Sequence, residues 1–247
     1  MSESLILAII VVTFFAAGAV KGVIGMGLPT VAMGVLGALI SPLAAASLLI
    51  VPSLVTNLWQ CLAGPAFGQL ARRLWPMMLT ICIGTLIGTA FLARGDTAAT
   101  TTALGAALII YAGYTLLSPQ RRVASAAERW FSPLVGLLTG IVSGATGIFV
   151  IPAVPYLQAL GLARDDLVQA LGLSFTVSTL ALAAGLGLHG VFAVEHLGIS
   201  ALALIPALVG MWAGQRLRKR LPAETFRRIF LLALLLLGME MSSRALS

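Results

Sequence analysis

Apolar segments about as long as a membrane-spanning helix follow one another along almost the whole chain. A transmembrane helix needs about 20 mostly apolar residues, and six full-length candidates are present: Leu43–Ala63, Leu74–Ala93, Ala98–Leu117, Leu167–Leu188, Leu197–Gln215 and Phe226–Met239. Hydrophobic residues make up 60% of the 247 residues and charged residues only 9%. Because so little charge cannot cover so much apolar surface in water, the sequence predicts an all-α integral membrane protein.

Two further apolar stretches are too long or too irregular for one helix, because glycine and proline interrupt both. The first, Leu5–Ile40, is broken at Gly22, Gly25, Gly27 and Pro29. The second, Phe131–Leu160, is broken at Gly144, Gly147, Pro152 and Pro155. We therefore expect each stretch to form a helical hairpin with an irregular tip.

The two broken stretches match each other along the sequence. A constant offset of 122 residues relates one to the other, pairing Gly18, Gly22 and Gly25 with Gly140, Gly144 and Gly147. Farther along, the same offset pairs Thr56 with Ser178, Gly68 with Gly190 and Gly88 with Gly210. An offset close to half the chain length indicates an internal duplication. We predict one membrane repeat over residues 1–119, a basic linker over 120–130 and a second repeat over 131–247.

Loop charge indicates how the repeats are oriented. If each broken stretch crosses the membrane once, the basic residues divide six to eight between the two sides. If each stretch enters and returns without a net crossing, only two basic residues lie on one side, Arg94 and Arg244, and twelve on the other: Arg72, Arg73, Arg121, Arg122, Arg129, Arg164, Arg216, Arg218, Lys219, Arg220, Arg227 and Arg228. The second division fits the positive-inside rule.

The charge division favours two inverted-topology repeats, each a broken hairpin plus three transmembrane helices. It places the central loop in the cytoplasm and both termini outside, in a multi-pass protein of the cell membrane, by expectation the bacterial inner membrane. It leaves open whether each hairpin is re-entrant or makes two short crossings. The chain then has eight or ten membrane segments.

Inverted repeats with interrupted helices are the sequence signature of secondary transporters. Proline suits the first turn of a helix, so Pro29 and Pro152 are expected to start half-helices, whose partly positive N-termini attract anions. The alternative is that the glycines only allow close helix packing, since Gly18 and Gly22 match the small-xxx-small pattern. At the two breaks the predicted substrate-binding residues are Gly22, Gly25, Gly27, Pro29, Thr30, Gly144, Thr146, Gly147 and Pro152.

Lys21 is the one basic residue inside a membrane segment, next to the break at Gly22. An intramembrane charge costs about 2.5–3.5 kcal/mol on insertion scales and is a functional hypothesis by default. We expect it to bind an anionic substrate, although it could also snorkel or bond a backbone carbonyl. Its counterpart in the second repeat is Ser143, which we include in the site.

A polar face on one full-length helix is the next signal. Ser53, Thr56, Asn57 and Gln60 recur at helical spacing. The matching helix carries Gln169, Ser174, Thr176, Ser178 and Thr179. These side chains are predicted to line a substrate path. The alternative is interhelical hydrogen bonding, which is common for such residues in membranes.

The sequence gives no sign of an enzyme, a metal site or a cofactor. No acidic residue lies in the middle of a membrane segment, and no nucleophile–base set or nucleotide-binding fingerprint is present. The net charge of +7 is explained by basic loops rather than by nucleic acid. The expected partners are a small anion and the lipid bilayer, with no nucleic acid, and a homodimer is possible.

At the Gly18–Pro29 and Gly140–Pro152 units the chain resembles the TauE/SafE family of sulfite and organosulfonate exporters, and the resemblance extends over nearly the whole chain. The second unit, Gly147-Ile-Phe149, departs most from the family's glycine run. The resemblance implies export of sulfite, a sulfonate or a related organic anion by alternating access, with the site at the two broken helices. The alternatives are a facilitative anion channel and a membrane assembly or sensor subunit that transports nothing.

Overall fold

A computed structural model describes residues 2–117, 122–191, 195–218 and 223–244. These parts of the chain are 87% helical and contain no strand, which confirms the all-α prediction. The predicted loop at Arg121, the basic residues Lys219 and Arg220, and the C-terminal Ser247 lie outside them. The described residues form ten helices: α1 Glu3–Ile24, α2 Leu28–Leu39, α3 Pro42–Leu62, α4 Phe67–Arg94, α5 Thr97–Leu117, α6 Ser125–Thr146, α7 Ala153–Ala159, α8 Arg164–Leu188, α9 Glu195–Leu217 and α10 Ala223–Arg244.

Six helices in the described part of the chain are long and apolar enough to cross a membrane: α1, α3, α4, α5, α8 and Leu197–Leu217 of α9. Five correspond to predicted full-length segments. The sixth predicted segment, Phe226–Met239, lies within α10, which does not qualify, because its apolar run is bounded by Arg228 and Glu240. The helix α1 qualifies instead: at 22 residues it is about 33 Å long, more than a short hairpin arm.

The two breaks end their first helices in the same way. Gly25 adopts φ +80° and donates its amide to the Lys21 carbonyl at 2.8 Å. Gly147 adopts φ +70° and donates to the Ser143 carbonyl at 2.8 Å. This left-handed cap favours glycine, because a side chain strains the backbone there.

The second arms of the two hairpins differ in length. α2 has 12 residues and carries Pro29 in its first turn, as predicted for a half-helix. α7 has only seven residues, and Pro152 immediately precedes it. Neither is long enough to cross a bilayer of about 30 Å alone.

In the second broken stretch the chain returns to the end from which it started. The amide of Val123, just before α6, donates to the carbonyl of Ala159, the last residue of α7, at 2.9 Å. The Tyr156 hydroxyl of α7 also lies 2.6 Å from the Ser132 hydroxyl of α6. This stretch is therefore a closed hairpin, while the inverted orientation of the repeats stays a prediction.

The contacts divide the chain into two compact units that do not follow the two sequence halves. Unit 1 comprises Met1–Pro52, Asp96–Leu116 and Ala193–Ser247; unit 2 comprises Ser53–Gly95 and Leu117–Phe192. In unit 1, α1 packs mainly against α9, and in unit 2, α6 packs mainly against α4. Each unit thus combines helices from both predicted repeats.

Glycines allow the two principal helix pairs to cross at very close range. A methyl group at Gly22 of α1 would lie 2.8 Å from the amide nitrogen of Gln215 on α9. A methyl group at Gly144 of α6 would lie 2.7 Å from the amide nitrogen of Thr89 on α4. The packing interpretation of these glycines therefore holds in both units.

The opposing helices supply glycines as well, and their contacts refine the sequence pairing. In unit 2, Gly84 lies against the Leu137 carbonyl, and in unit 1, Gly210 lies against the Phe15 carbonyl. Leu137 follows Phe15 by the repeat offset, so Gly84 is the counterpart of Gly210. The sequence pairing of Gly88 with Gly210 is one helical turn out of register.

Candidate functional site

Lys21 lies in the last turn of α1, and its side chain is only 4% exposed. The carbonyl end of a helix carries about half a negative charge, which favours a lysine at this position. The sequence predicted a lysine inside the protein near the glycine break, and the structure buries it there. The amino group therefore sits away from water, on a residue one turn from the irregular backbone at Gly25.

The other side of this break begins α2. Gly27 precedes the helix with φ +102°, and Pro29 and Thr30 lie in its first turn. The Thr30 hydroxyl is fully buried and accepts or donates no hydrogen bond within the described residues. The first break thus brings a positive helix end and a buried hydroxyl close in sequence to Lys21.

The second break is uncharged. Thr146 at the end of α6 donates its hydroxyl to the Val142 carbonyl at 2.7 Å and accepts the Ile148 amide at 3.2 Å. Its side chain is thus engaged in shaping the turn before Gly147. Ser143 donates to the Thr139 carbonyl at 2.7 Å, and its oxygen lies 3.3 Å from the Thr85 hydroxyl of α4.

The predicted polar face is buried in unit 2, where the second half of α3 meets α8. Asn57 donates to the Thr179 hydroxyl over 3.5 Å. The Thr56 hydroxyl instead donates to the Ser53 carbonyl of its own helix at 3.3 Å. The structure therefore brings together the two helix faces that the sequence singled out.

Three serines on these faces are fully buried, and their hydroxyls find no hydrogen-bond partner among the residues that the structure describes: Ser53, Ser174 and Ser178. Buried polar groups in proteins are nearly always paired, because an unpaired group loses the hydrogen bonds it makes with water. A site for a polar ligand requires hydroxyls that are free to bond it, and these three lie on facing helices.

The two glutamines near this face behave as interhelical links. Gln60 donates to the Val168 carbonyl of α8 at 2.9 Å. Gln169 donates to the carbonyls of Cys61 and Gly64, both at 2.7 Å, and accepts the Ala66 amide at 3.0 Å. Gln169 thus supplies hydrogen-bond partners to backbone groups at the turn between α3 and α4. This agrees with the alternative that these polar residues link helices.

The predicted site residues do not all fall in one unit. Unit 1 holds Lys21, Gly22, Gly25, Gly27, Pro29 and Thr30. Unit 2 holds Ser53, Thr56, Asn57, Gln60, Ser143, Gly144, Thr146, Gly147, Pro152, Ser174, Ser178 and Thr179.

Three buried threonines were not predicted from the sequence, and one of them, Thr85, lies beside Ser143. Thr85 and Thr89 of α4 and Thr139 of α6 are all fully buried. The signal was present as a Gly-Thr-x-x-Gly-Thr repeat at Gly84–Thr89. Its glycines meet α6, and the Thr89 side chain lies against Gly185 of α8.

A family model matches residues 10–241 and describes the sulfite exporter TauE/SafE family. The chain belongs to the TauE/SafE family. This membership confirms the resemblance, and with the six apolar helices it makes the chain a multi-pass membrane protein of a family of sulfite and sulfonate exporters, which are transporters. No match was found among curated proteins or among solved structures.

Proposed function

We propose that this TauE/SafE protein is a secondary transporter that exports sulfite, a sulfonate or a related small organic anion by alternating access. Beyond family membership, the observation that carries the proposal is Lys21, buried beside the glycine break between α1 and α2. In its protonated form, which a bound anion favours, the Lys21 amine supplies a full positive charge, and the N-terminus of α2 adds about half of one.

The substrate and Lys21 each offset the cost of burying the other's charge. A small anion loses its hydration on entering the protein, and a buried ammonium bears a similar cost. Binding beside Lys21 offsets both costs. Thr30 in the first turn of α2 offers the anion a hydroxyl donor that makes no other hydrogen bond in the described residues.

The buried polar residues of unit 2 offer an anion neutral hydrogen-bond donors. Ser53, Ser174 and Ser178 present unpaired hydroxyls on facing helices. Such groups donate hydrogen bonds to sulfite or sulfonate oxygens without holding the ion as tightly as a charge does. Weak neutral binding suits an intermediate position on a transport path.

The proposed orientation is the inverted one, with the basic loops in the cytoplasm of a cell whose inner membrane holds the protein. It is supported by the twelve-to-two division of basic residues and by the hydrogen bond between Val123 and Ala159, which closes the second hairpin.

Counterflow in proteoliposomes tests the proposal. Purified protein is reconstituted with unlabelled sulfite, taurine or a short carboxylate inside, and labelled sulfite is added outside. An alternating-access transporter gives trans-stimulated uptake by sulfite or the sulfonate. Uptake without trans-stimulation would indicate a channel, and no uptake together with no thermal stabilisation by any anion would indicate a subunit that transports nothing.

A further inference from the structure

The helix α10 runs alongside the first break, the irregular backbone between α1 and α2. A methyl group at Gly27, just before α2, would lie 3.3 Å from the Phe230 ring. A methyl group at Gly34 of α2 would lie 2.8 Å from Leu237. The two contacts are seven residues apart on both segments and follow in the same order, so α2 and α10 are parallel. The turn of α10 that precedes Phe230 therefore lies beside the break.

Arg227 lies in that turn of α10. It precedes Phe230 by three residues and so lies on the same face of the helix. Phe230 is buried, whereas Arg227 is partly exposed. The Arg227 guanidinium is also close enough for its charge to act on the Tyr111 hydroxyl of α5. Two observations thus place a cation of α10 at the first break, in addition to Lys21 of α1.

Tyr111 reaches the same break from α5. This residue is 3% exposed, and its hydroxyl donates to the Met26 sulfur over 3.7 Å. Met26 stands between Gly25 and Gly27, in the irregular segment that joins α1 to α2. A thioether is a weak acceptor. An anion at the break therefore offers this buried hydroxyl a much stronger acceptor than the one it has in the protein.

A second hydroxyl of α5 is level with the break. A methyl group at Gly34 would lie 3.5 Å from Leu108. A methyl group at Gly37 would lie 2.6 Å from Leu104, so α5 runs antiparallel to α2. Thr115, about two turns farther along α5 than Leu108, is therefore level with the start of α2. Its hydroxyl oxygen is buried and has no hydrogen-bond partner among the described residues, so it is available to a ligand.

We infer that Tyr111, Thr115 and Arg227 form the entrance of the anion site at the first break and bind the oxyanion head group of sulfite or a sulfonate there. The planar guanidinium of Arg227 donates two parallel hydrogen bonds to two oxygens of the head group. Tyr111 and Thr115, one turn apart on the same face of α5, donate their hydroxyls to the remaining oxygen.

This inference rests on the proposed function, whose anion lies at the same break, and adds three residues to its site. Arg227 meets the anion before Lys21 does, because Arg227 is partly exposed and Lys21 is only 4% exposed. The proposed orientation places Arg227 on the cytoplasmic side, from which an exporter takes its substrate.

Titration of the purified full chain with sulfite and with methanesulfonate tests the entrance. Tyr111→Phe removes only the hydroxyl, so Tm without anion should stay nearly unchanged. Its affinity for both anions should fall roughly tenfold, the effect of losing a hydrogen bond to a charged group. Arg227→Gln should weaken both anions at least roughly tenfold and make affinity less dependent on salt, because one cation is lost. Arg227→Lys should retain part of the affinity.

Tyr114→Phe and Arg228→Gln are the matched controls and should bind both anions like wild type. Tyr114 lies on α5 and is 55% exposed, and Arg228 is the exposed neighbour of Arg227 on α10. The entrance is refuted if Tyr111→Phe or Arg227→Gln keeps wild-type affinity, or if either control loses as much. If Arg227→Gln fails to fold, Thr115→Val takes its place with the same expected loss and the same refutation.

The outcome is separable from that of the proposed function, because Lys21→Gln is titrated with the same anions. If Lys21→Gln loses affinity while Tyr111→Phe and Arg227→Gln keep it, the anion site at Lys21 stands and the entrance alone is removed. If wild type binds neither anion, the proposed function fails and the entrance fails with it.

Discussion

Asn57 on α3 donates a hydrogen bond of 3.5 Å to Thr179 on α8, the residue 122 positions farther along the chain. That separation equals the offset between the two repeats, so each residue touches its own counterpart. The unpaired hydroxyls of Ser53 and Ser178 belong to the same two helix faces, which makes this contact the centre of the proposed neutral site.

We expect Ser53→Ala and Ser178→Ala to leave the Tm of the protein nearly unchanged and to weaken anion affinity. Their hydroxyls make no hydrogen bond among the described residues, so removing them costs the folded state no such hydrogen bond. Thermal unfolding with and without sulfite measures both quantities. The prediction is wrong if either variant lowers Tm as much as Ser200→Ala does.

Ser200→Ala is the comparison, because the wild-type Ser200 hydroxyl makes two hydrogen bonds to the backbone of α3. It donates to the Leu48 carbonyl at 2.7 Å and accepts the Val51 amide at 3.2 Å. Pro52 has no N–H to bond the Leu48 carbonyl, so Ser200 satisfies it instead. Its loss should destabilise the protein by about 1–3 kcal/mol.

Asn57→Ala should reduce transport more than it reduces the amount of folded protein in the membrane. We expect this side chain, on the buried polar face of α3, to bind the substrate in addition to making the hydrogen bond with Thr179. Thr179→Val removes the other partner of that bond and serves as the comparison. Equal losses of folded protein and activity in Asn57→Ala would identify the residue as an interhelical link.

Lys21→Gln should weaken anion affinity at least tenfold, because about 1.4 kcal/mol corresponds to a factor of ten and truncating a buried charge contact costs about 2–5 kcal/mol. Lys21→Arg should retain part of the affinity, and Ser143→Ala should affect the anion less, since no charge is lost. Affinity is measured by thermal shift on purified variants. Wild-type affinity in Lys21→Gln would remove Lys21 from the site.

Gly140→Ala should destabilise unit 2 by about 1–3 kcal/mol, because a methyl group there overlaps the Ile81 carbonyl and lies 2.7 Å from the Thr85 amide nitrogen. The control is Gly113→Ala on α5, where a methyl group meets nothing within 4 Å. The control should leave Tm unchanged or raise it, since alanine favours helix. Equal effects of the two substitutions would contradict the close crossing.

Cysteines at Ala124 and Ala163, in a background that lacks Cys61 and Cys82, should react with an impermeant maleimide from the same side of the membrane. Both positions are exposed and neutral, so the changes leave loop charge intact. The hairpin between them makes no net crossing in the inverted arrangement. Labelling from opposite sides would mean that α6 and α7 cross the membrane once and that the repeats are parallel.

The sequence by itself determined that lipid surrounds most of the chain, that the chain is helical, and that two apolar stretches are interrupted by glycine. Composition required lipid, because 9% charged residues cannot cover the apolar surface of this chain. Gly25 and Gly147 ended their helices where predicted, since a left-handed cap is a local property of the backbone. The predicted breaks at Gly22 and Gly144 were wrong, because these residues lie inside α1 and α6. The sequence did not predict the length of α1, because periodicity does not show how far a helix continues before a break.

Only the tertiary structure decided which helices pack together and which polar groups are satisfied. The sequence grouped α1 with its own half, whereas the contacts join it to α9, since glycines on both helices permit their closest approach. The sequence treated Gln60 and Ser53 alike, yet Gln60 bonds a carbonyl of α8 and Ser53 bonds nothing among the described residues. Hydrogen-bond satisfaction depends on atoms from distant segments, and therefore no local pattern could reveal it.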